Sequence, residues 1–382
     1  MDLSTIDASR QNLSQTLSNP SPNSAQAPTQ SLLSELLRAE DKLITFTIPC
    51  YNAAAYMDRC VTSILGGAQN SLERIEILIV NDGSNADDTA AKADAWQEKH
   101  PTIIRAIHQE NGGHGEAVNA GLRQAKGRYF KVVDADDWLD EEALALVLVR
   151  LKWLAVSNLD LLITNYVYEK LDEGKRTAIR YNGVLPEGRI FGWSEVGTFK
   201  PQQNLLMHAV IYRTEMLRSI GLELPKHLFY VDNIFVYVPL PAVKTIFFLD
   251  LDLYRYYTGR EGQSVNETTM VSRVDQQLSV TRIMIDAFHL REDAIDDRLR
   301  KYMIHYLTMM MTVCSVLLRL SDLPDAEEQR RAIWTYLKEK DPTLYPKIRG
   351  GILGLASNLP GRTGRTITLS GYRLAQKIFR FN

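Results

Sequence analysis

The first half of the chain alternates between two hydrophobic patterns. Residues 43–49, 75–80, 103–107 and 129–133 are short apolar runs rich in β-branched and aromatic side chains, which predicts buried strands. Residues 53–65, 87–99 and 116–125 between them read as helices, the first with Gly66-Gly67 as its stop signal. Strands alternating with helices predict parallel βαβ units and a covered sheet. Ligands of such sheets bind in the crevice beyond the carboxyl ends of the strands. Tyr51, Asp82, the Gly112-Gly113 loop and Asp134 all fall at those ends. Polar and glycine residues from four strands thus converge on one edge.

The second half is less regular. Residues 140–155 read as a helix, 159–167 as a strand, 169–188 as a polar excursion or hairpin, 207–213 as a strand and 214–220 as a helix. A strand over 244–249 precedes the tyrosine-rich run 253–257. Beyond it, 274–289, 296–320 and 325–340 predict amphipathic helices packed on or beside the sheet domain. The most apolar of these stretches, 303–318, is short of membrane-spanning length and Met-rich, which predicts a buried helix. Residues 1–30 are rich in Ser, Gln, Asn, Ala and Pro and are expected to be disordered. Residues 31–40 predict a short helix with Leu32, Leu33, Leu36 and Leu37 on one stripe. The expected organisation is a tail (1–30), a sheet domain (31–266, with halves 43–140 and 141–266), a helical region (267–344) and a basic-apolar tail (345–382).

Composition narrows the picture. An apolar share of 45% and a charged share of 24% are ordinary for a soluble globular protein. A net charge of −2 provides no global basic field, so nucleic acid is not an expected partner. Cys50, Cys60 and Cys314 form no metal-ligand spacing and no disulfide framework, and reduced thiols in a cytoplasmic setting are the simplest reading. No apolar signal segment precedes the first strand, so secretion is not expected. The last stretch departs from the average. From Tyr345 on, Lys347, Arg349, Arg362, Arg365, Arg373, Lys377 and Arg380 meet no acidic residue and interleave with apolar side chains. That composition fits either a basic tail docked on the body or peripheral contact with an anionic membrane. Glycines and Pro360 interrupt the helical period, so only 372–381 is expected to form an amphipathic turn or two.

The candidate chemistry centres on residues 129–138, Tyr-Phe-Lys-Val-Val-Asp-Ala-Asp-Asp-Trp. Asp134 and Asp136 are two apart and project to the same side of an extended chain. Carboxylates buried there without partners cost several kcal/mol each. A divalent cation offsets their repulsion, and hard oxygen ligands suit Mg²⁺ or Mn²⁺. The plainer reading is a solvated acidic turn capping the helix near Asp140. No G-x-G-x-x-G follows the first strand and no Walker loop is present, which disfavours dinucleotide dehydrogenases and phosphate-loop NTPases. Asp232 stands alone in an apolar run, as a helix N-cap or a functional group.

Six motifs occur in order and at fitting intervals: Ile-Pro-Cys-Tyr-Asn (48–52), Ile-Val-Asn-Asp-Gly-Ser (79–84), Gln-Glu-Asn-Gly-Gly (109–113), Asn-Ala-Gly-Leu (119–122), Ala-Lys-Gly-Arg-Tyr (125–129) and Asp-Ala-Asp-Asp (134–137). Together they resemble the nucleotide-diphospho-sugar transferases of glycosyltransferase family 2, densely over 43–140 and more thinly to 266. The resemblance implies the α/β GT-A fold, a mixed sheet on a Rossmann-like half, here followed by a helical C-terminal region. It implies that Tyr51 lies against the base of a nucleotide sugar such as a UDP-sugar, in a loop shaped by Pro49 and Asn52. Asp82 would accept a hydrogen bond from base or ribose, Gly112 and Gly113 would let backbone approach the ligand, and Asn119 would support the ribose–diphosphate region. Asp134 and Asp136 would bind the ribose and a Mn²⁺ or Mg²⁺ ion. Asp232 falls where the family places its catalytic base, although the family commonly has Glu-Asp where this chain has Val-Asp. Arg260, in a glycine-flanked loop, would close over the diphosphate.

The implied activity is inverting, metal-dependent hexosyl transfer to a glycan or lipid-linked acceptor in cell-surface polysaccharide synthesis. The implied location is cytoplasmic, peripheral on the inner membrane face. The Gln-x-x-Arg-Trp signature of processive synthases is absent. A nucleotidyltransferase on the same kind of sheet and a catalytically silent scaffold are the alternatives.

Overall fold

Strand β1 (Ile44–Cys50) is buried at every position and forms the spine of the first half of the sheet. It pairs in parallel with β2 (Ile75–Asp82) on one side and β4 (Tyr129–Val132) on the other, and β2 pairs in parallel with β3 (Ile104–Gln109). Helices α1 (Met57–Gly67), α2 (Thr89–Lys99) and α3 (His114–Gln124) make the crossovers. The computed structural model describes residues 42–200, 203–259, 266–288 and 295–379, with side chains to 373. The tail and helix expected over 1–40 and the loop holding Arg260 lie outside the described residues.

The sheet then changes character. After β5 (Trp138–Leu139) and α4 (Glu141–Leu154) come β6 (Leu161–Lys170), β7 (Lys175–Ile179), β8 (Ile190–Phe191), β9 (Val210–Arg213), α5 (Thr214–Ser219), α6 (Asp232–Tyr237) and β10 (Ile246–Tyr257). The strand order is β3-β2-β1-β4-β9-β6-β10-β5, with β7 beside β6 and β8 beside β10. β9 runs antiparallel to both β4 and β6, which makes the sheet mixed. The polar excursion after β6 is the hairpin arm β7.

Several boundaries differ from the sequence expectation. Helix α1 takes in Gly66 and ends at Gly67, with Ala68 as its C-cap, so the glycines form its last turn rather than follow it. The expected strand over 207–213 begins only at Val210, because Met207–Ala209 form a 3₁₀ turn. The runs 244–249 and 253–257 are one strand with irregular register around Leu249, Asp252 and Tyr254.

Helices α7 (Glu267–Ser272), α8 (Val274–Ala287), α9 (Asp297–Leu320) and α10 (Ala326–Lys340) belong to the same compact unit as the sheet. By length and composition α9 could cross a membrane, contrary to the sequence expectation, and 61% of its apolar window is buried inside the protein. Aromatic contacts wedge it against the second half of the sheet. Tyr302 stacks on Trp193 at 6.4 Å, and Tyr306 meets Tyr237 edge-on at 5.6 Å.

The last stretch also differs from expectation, forming α11 (Leu344–Arg349), α12 (Ile352–Ser357) and α13 (Gly361–Phe379). Arg319 of α9 donates to the carbonyls of Leu359 and Gly364, and Arg330 of α10 to that of Ser357. Those charged donors bind backbone acceptors at the helix ends, and the interrupting glycines do not prevent docking.

Gly127 shows how closely the elements approach. A Cβ there would lie 2.2 Å from the backbone nitrogen of Thr45 in β1. Gly127→Ala is therefore expected to lower stability by about 1–3 kcal/mol, read as a lower urea midpoint with unchanged slope.

Candidate functional site

An open cleft of about 440 Å³ lies at the carboxyl edge of the parallel strands. Its wall brings together Pro49, Tyr51 and Asn52 after β1, His114 at the start of α3, Asp134 and Asp136 after β4, His208 before β9, Tyr230 and Asp232 at α6, Tyr256 of β10, and Arg273. A larger groove along α8 and α10 is lined by Arg282, Glu328, Arg331 and Glu339, charges of both signs without convergent chemistry.

The acidic segment is a turn rather than an extended strand. β4 ends at Val132, and the Asp137 N–H donates to the Asp134 carbonyl at 3.0 Å. The expectation for Asp134 and Asp136 assumed an extended chain; the segment is a turn, and both residues still line the cleft. Ligand-type atoms of Asp134, Asp137 and His208 lie within 4.8 Å of one another, while Asp136 lines the cleft beside them. The site thus offers Asp137 and His208 beside Asp134, in addition to the expected pair Asp134 and Asp136.

This cluster is held by strong local electrostatics. Asp137 is fully buried. It accepts hydrogen bonds from the Tyr254 hydroxyl at 2.7 Å and the Tyr257 N–H at 2.8 Å. Burial, then the charges of Asp136 and Asp134, push its carboxyl well above the usual range. For Asp134 burial acts in the same direction, but His114, whose Nε2 lies 2.8 Å away, outweighs it and holds the carboxyl below its ordinary value. His114 is correspondingly raised: burial opposes its charge, but the bond to Asp134 and the surrounding carboxylates prevail.

His208 behaves differently. Its ring stacks on Tyr256 at 4.3 Å and meets Tyr254 edge-on at 4.6 Å. Burial pulls it down to about 4, so it is neutral at pH 7. Its Nε2 stands 3.9 Å from both Asp134 and Asp137, and neither ring nitrogen has a hydrogen-bond partner among the described residues. Buried polar atoms are rarely left so. A neutral imidazole beside two carboxylates fits Mn²⁺ or Mg²⁺ in donor type, with the nitrogen ligand favouring Mn²⁺. Behind it, fully buried Lys131 donates to the carbonyls of Met207, His208 and Val210, at 3.1, 2.6 and 3.3 Å. Burial brings this lysine down to about 7.

Asp232 sits opposite, as the first residue of α6. Val231 takes the N-cap position, so Asp232 is not the cap. Burial raises its carboxyl above the ordinary range, with His114 opposing and Asp134 reinforcing the shift. Asn233 donates to its Oδ1 at 3.1 Å, and the Asn233 amide oxygen accepts from Tyr306 of α9 at 3.0 Å. The helical region thereby orients the carboxylate. The approach to Asp232 is strained: Tyr230 has φ of 63° and His227 of 52°, unusual for bulky side chains.

Four expected ligand residues stand behind the cleft rather than in its wall. Asp82 accepts from the N–H groups of Gly112 and Gly113, both at 2.8 Å, and from Gln109 at 2.7 Å. Its carboxylate therefore shapes the glycine loop instead of presenting itself to a ligand. Gly113, at φ of 83°, could carry no Cβ without approaching His227 N to 2.9 Å. The Gly112 carbonyl accepts from that same N–H. Asn119 spends both ends of its amide on the backbone of Leu224, at 2.8 and 2.9 Å, and so clamps α3 to the loop after α5. In the β1 loop, Asn52 accepts from the N–H groups of Asn85 and Ala86, leaving Tyr51 exposed beside it.

Sequence reasoning passed over His114, Lys131, His208, Tyr254, Tyr306 and Arg273. The rule that singled out Asp232, an ionisable residue alone in an apolar run, also describes Lys131 and His208. Nothing local marked Tyr306 or Arg273, which reach the cleft only through helix packing.

The parallel half, the mixed second half and the acidic turn at the strand edge define a GT-A type fold. TarS of S. aureus, solved in complex with UDP-GlcNAc, shares it at a TM-score of 0.60 with 17% identity, covering 88% of this chain and 91% of that one. The mannosyltransferase PcManGT of Pyrobaculum calidifontis, solved with GDP-Man and Mn²⁺, does so at 0.52 and 16%, covering 91% and 92%. In sequence, residues 45–215 match the family model described as Glycosyl transferase family 2. EpsH of Bacillus subtilis, named as a glycosyltransferase, is 24% identical over 295 residues, covering 72% of this chain and 77% of that protein. Of other curated glycosyltransferases it matches, the chain spans less, 42% of one and 27% of another. Residues 45–215 thus resemble glycosyl transferase family 2, and these likenesses support a glycosyltransferase.

The role of Lys131 can be tested separately from chemistry. Lys131→Met strips the donor from three buried carbonyls around His208 and is expected to destabilise by about 1–3 kcal/mol in urea unfolding.

Proposed function

We propose that the protein transfers a hexose, with inversion, from a nucleoside-diphosphate sugar such as a UDP-sugar to a hydroxyl of a glycan or lipid-linked acceptor. The observation that carries this reading is the single cleft that gathers Tyr51, the acidic turn with His208, and Asp232. Tyr51 and Pro49 offer an aromatic face and a rigid edge to the nucleotide base. Asp134, Asp137 and His208 would hold a divalent cation, with Asp136 beside them, and the cation would supply charge neutralisation for the diphosphate. Arg273 lies over the Phe229 ring at 3.8 Å in the same wall and makes no ion pair with a described residue. It offers a second, planar cation to phosphate oxygens; Arg260 would add a third. UDP-GlcNAc and GDP-Man in the two structural neighbours support the donor class.

Asp232 acts as general base. It takes the proton of the acceptor hydroxyl as that oxygen bonds to the anomeric carbon, and the carbon–oxygen bond to the diphosphate breaks on the opposite face with its electron pair leaving on the diphosphate. The negative charge developing there is what the cationic groups stabilise. Synthesis of cell-surface polysaccharide, on the cytoplasmic side and peripheral to the membrane, is the setting that fits this reading.

Asp232→Asn is nearly isosteric. It is expected to keep donor binding in calorimetry while kcat falls roughly 10²-fold or more. In the native enzyme kcat should fall as acid protonates Asp232, at a higher pH than an ordinary carboxyl would dictate, because burial raises that group. The product should be a nucleoside diphosphate; release of inorganic diphosphate would make the enzyme a nucleotidyltransferase instead.

A further inference from the structure

Helix α11 buries Leu344 and Ile348 in the ordinary way, but α12 and α13 have an inverted surface. On α12 the buried residues are Gly354 and Ser357, and on α13 they are Gly364 and Thr368. The large aliphatics point the other way. Ile352 is 87% exposed, Leu353 45%, Leu355 52% and Ile367 52%. A helix docked on a protein in water buries its large apolar residues and exposes its small polar ones. Here the inner face is fixed by polar contacts, Arg319 and Arg330 holding backbone carbonyls of the 357–364 segment and Thr368 closing on Ala356 and Gly364. The aliphatic side is left outward.

The charge carried by this segment itself has one sign. From Pro342 to the last residue there is no Asp or Glu. Lys347, Arg362 and Arg365 are exposed on the same three helices and Arg349 is half-buried. Arg373, further along α13, is neutralised by Glu267 of α7 at 2.7 Å, and no ion pair joins Lys347, Arg349, Arg362 or Arg365 to a described acid. Exposed aliphatics beside such cations match a surface that is apolar inside and anionic outside. A second protein surface could supply the apolar part, but the one-sided charge selects against a second copy of this chain, whose own patch would repel it.

We infer that Ile352, Leu353, Leu355 and Ile367, ringed by Lys347, Arg349, Arg362 and Arg365, form a docking face for an anionic lipid bilayer. Its aliphatics insert at the headgroup level and its cations face the lipid phosphates. The inference rests on the peripheral location proposed above and is independent of the donor chemistry. Because the inner sides of the helices are pinned to α9 and α10, docking would hold the catalytic unit at the bilayer without unfolding any element.

The test uses the full chain and vesicles of phosphatidylcholine with and without phosphatidylglycerol. The native protein should sediment with the anionic vesicles and release in high salt. The triple variant Ile352→Ser, Leu353→Ser, Leu355→Ser should bind at least about tenfold more weakly, since three side chains lose their apolar burial. Arg362→Gln with Arg365→Gln should lose the preference for anionic over neutral vesicles. Hydrolysis of nucleotide sugar in solution, measured on the same proteins, should not change in any variant. Equal partitioning of native and variant chains, or no partitioning at all, would overturn the docking face. So would a native dimer that the triple variant turns into a monomer in sedimentation velocity. Absent hydrolysis in the native chain and every variant, with vesicle binding as described, would instead strike the proposed function and leave the docking face standing.

Discussion

Everything in the site follows from three carboxylates placed within four residues of one another at the end of a buried strand. Asp134, Asp136 and Asp137 repel one another in a poorly solvated place, and the fold answers that repulsion with specific groups. The Tyr254 hydroxyl accepts from the Asp134 N–H and donates to Asp137, so one phenol bridges the two ends of the turn. His114 charges up against Asp134. Lys131 stays behind the turn and ties β4 to the segment that carries His208. These groups leave the His208 Nε2, which faces Asp134 and Asp137, without a partner among the described residues, and that is the gap a divalent cation would close.

The rest of the architecture positions partners around this turn. Asp82 forms the glycine loop, the loop holds His227, and the strained segment that follows delivers Tyr230 and Asp232. From the other side, α9 reaches Asp232 through Tyr306 and Asn233. Residues about seventy apart in sequence thus set one carboxylate, and the C-terminal helices are part of the catalytic unit rather than an appendage.

The parallel half was legible in the sequence because its strands are continuous apolar runs and its helices lie between glycine and polar signals. The cleft was legible as an edge where strand ends converge. The internal geometry of the site was not. Asp134 and Asp136 were read as a pair on an extended chain; the turn closed by the Asp137 to Asp134 backbone hydrogen bond brings Asp137 and His208 in beside Asp134 as well. Asp82 and Asn119 carry the motifs that resemble the family, yet their side chains are consumed by backbone groups far away in sequence, such as Leu224. The tail helices were hidden by glycines, which read as interruptions until Arg319 and Arg330 supply tertiary partners for the helix ends.

The central claim is that Asp134, Asp137 and His208 form one cation site serving the nucleotide diphosphate. Calorimetric titration of Mn²⁺ into the native protein, with and without UDP, and into His208→Ala and Asp134→Asn, tests it most directly. A single Mn²⁺ site that tightens with UDP and weakens at least about tenfold in either variant is the predicted result. Mn²⁺ binding of equal strength in all three proteins, or indifferent to UDP, would contradict it.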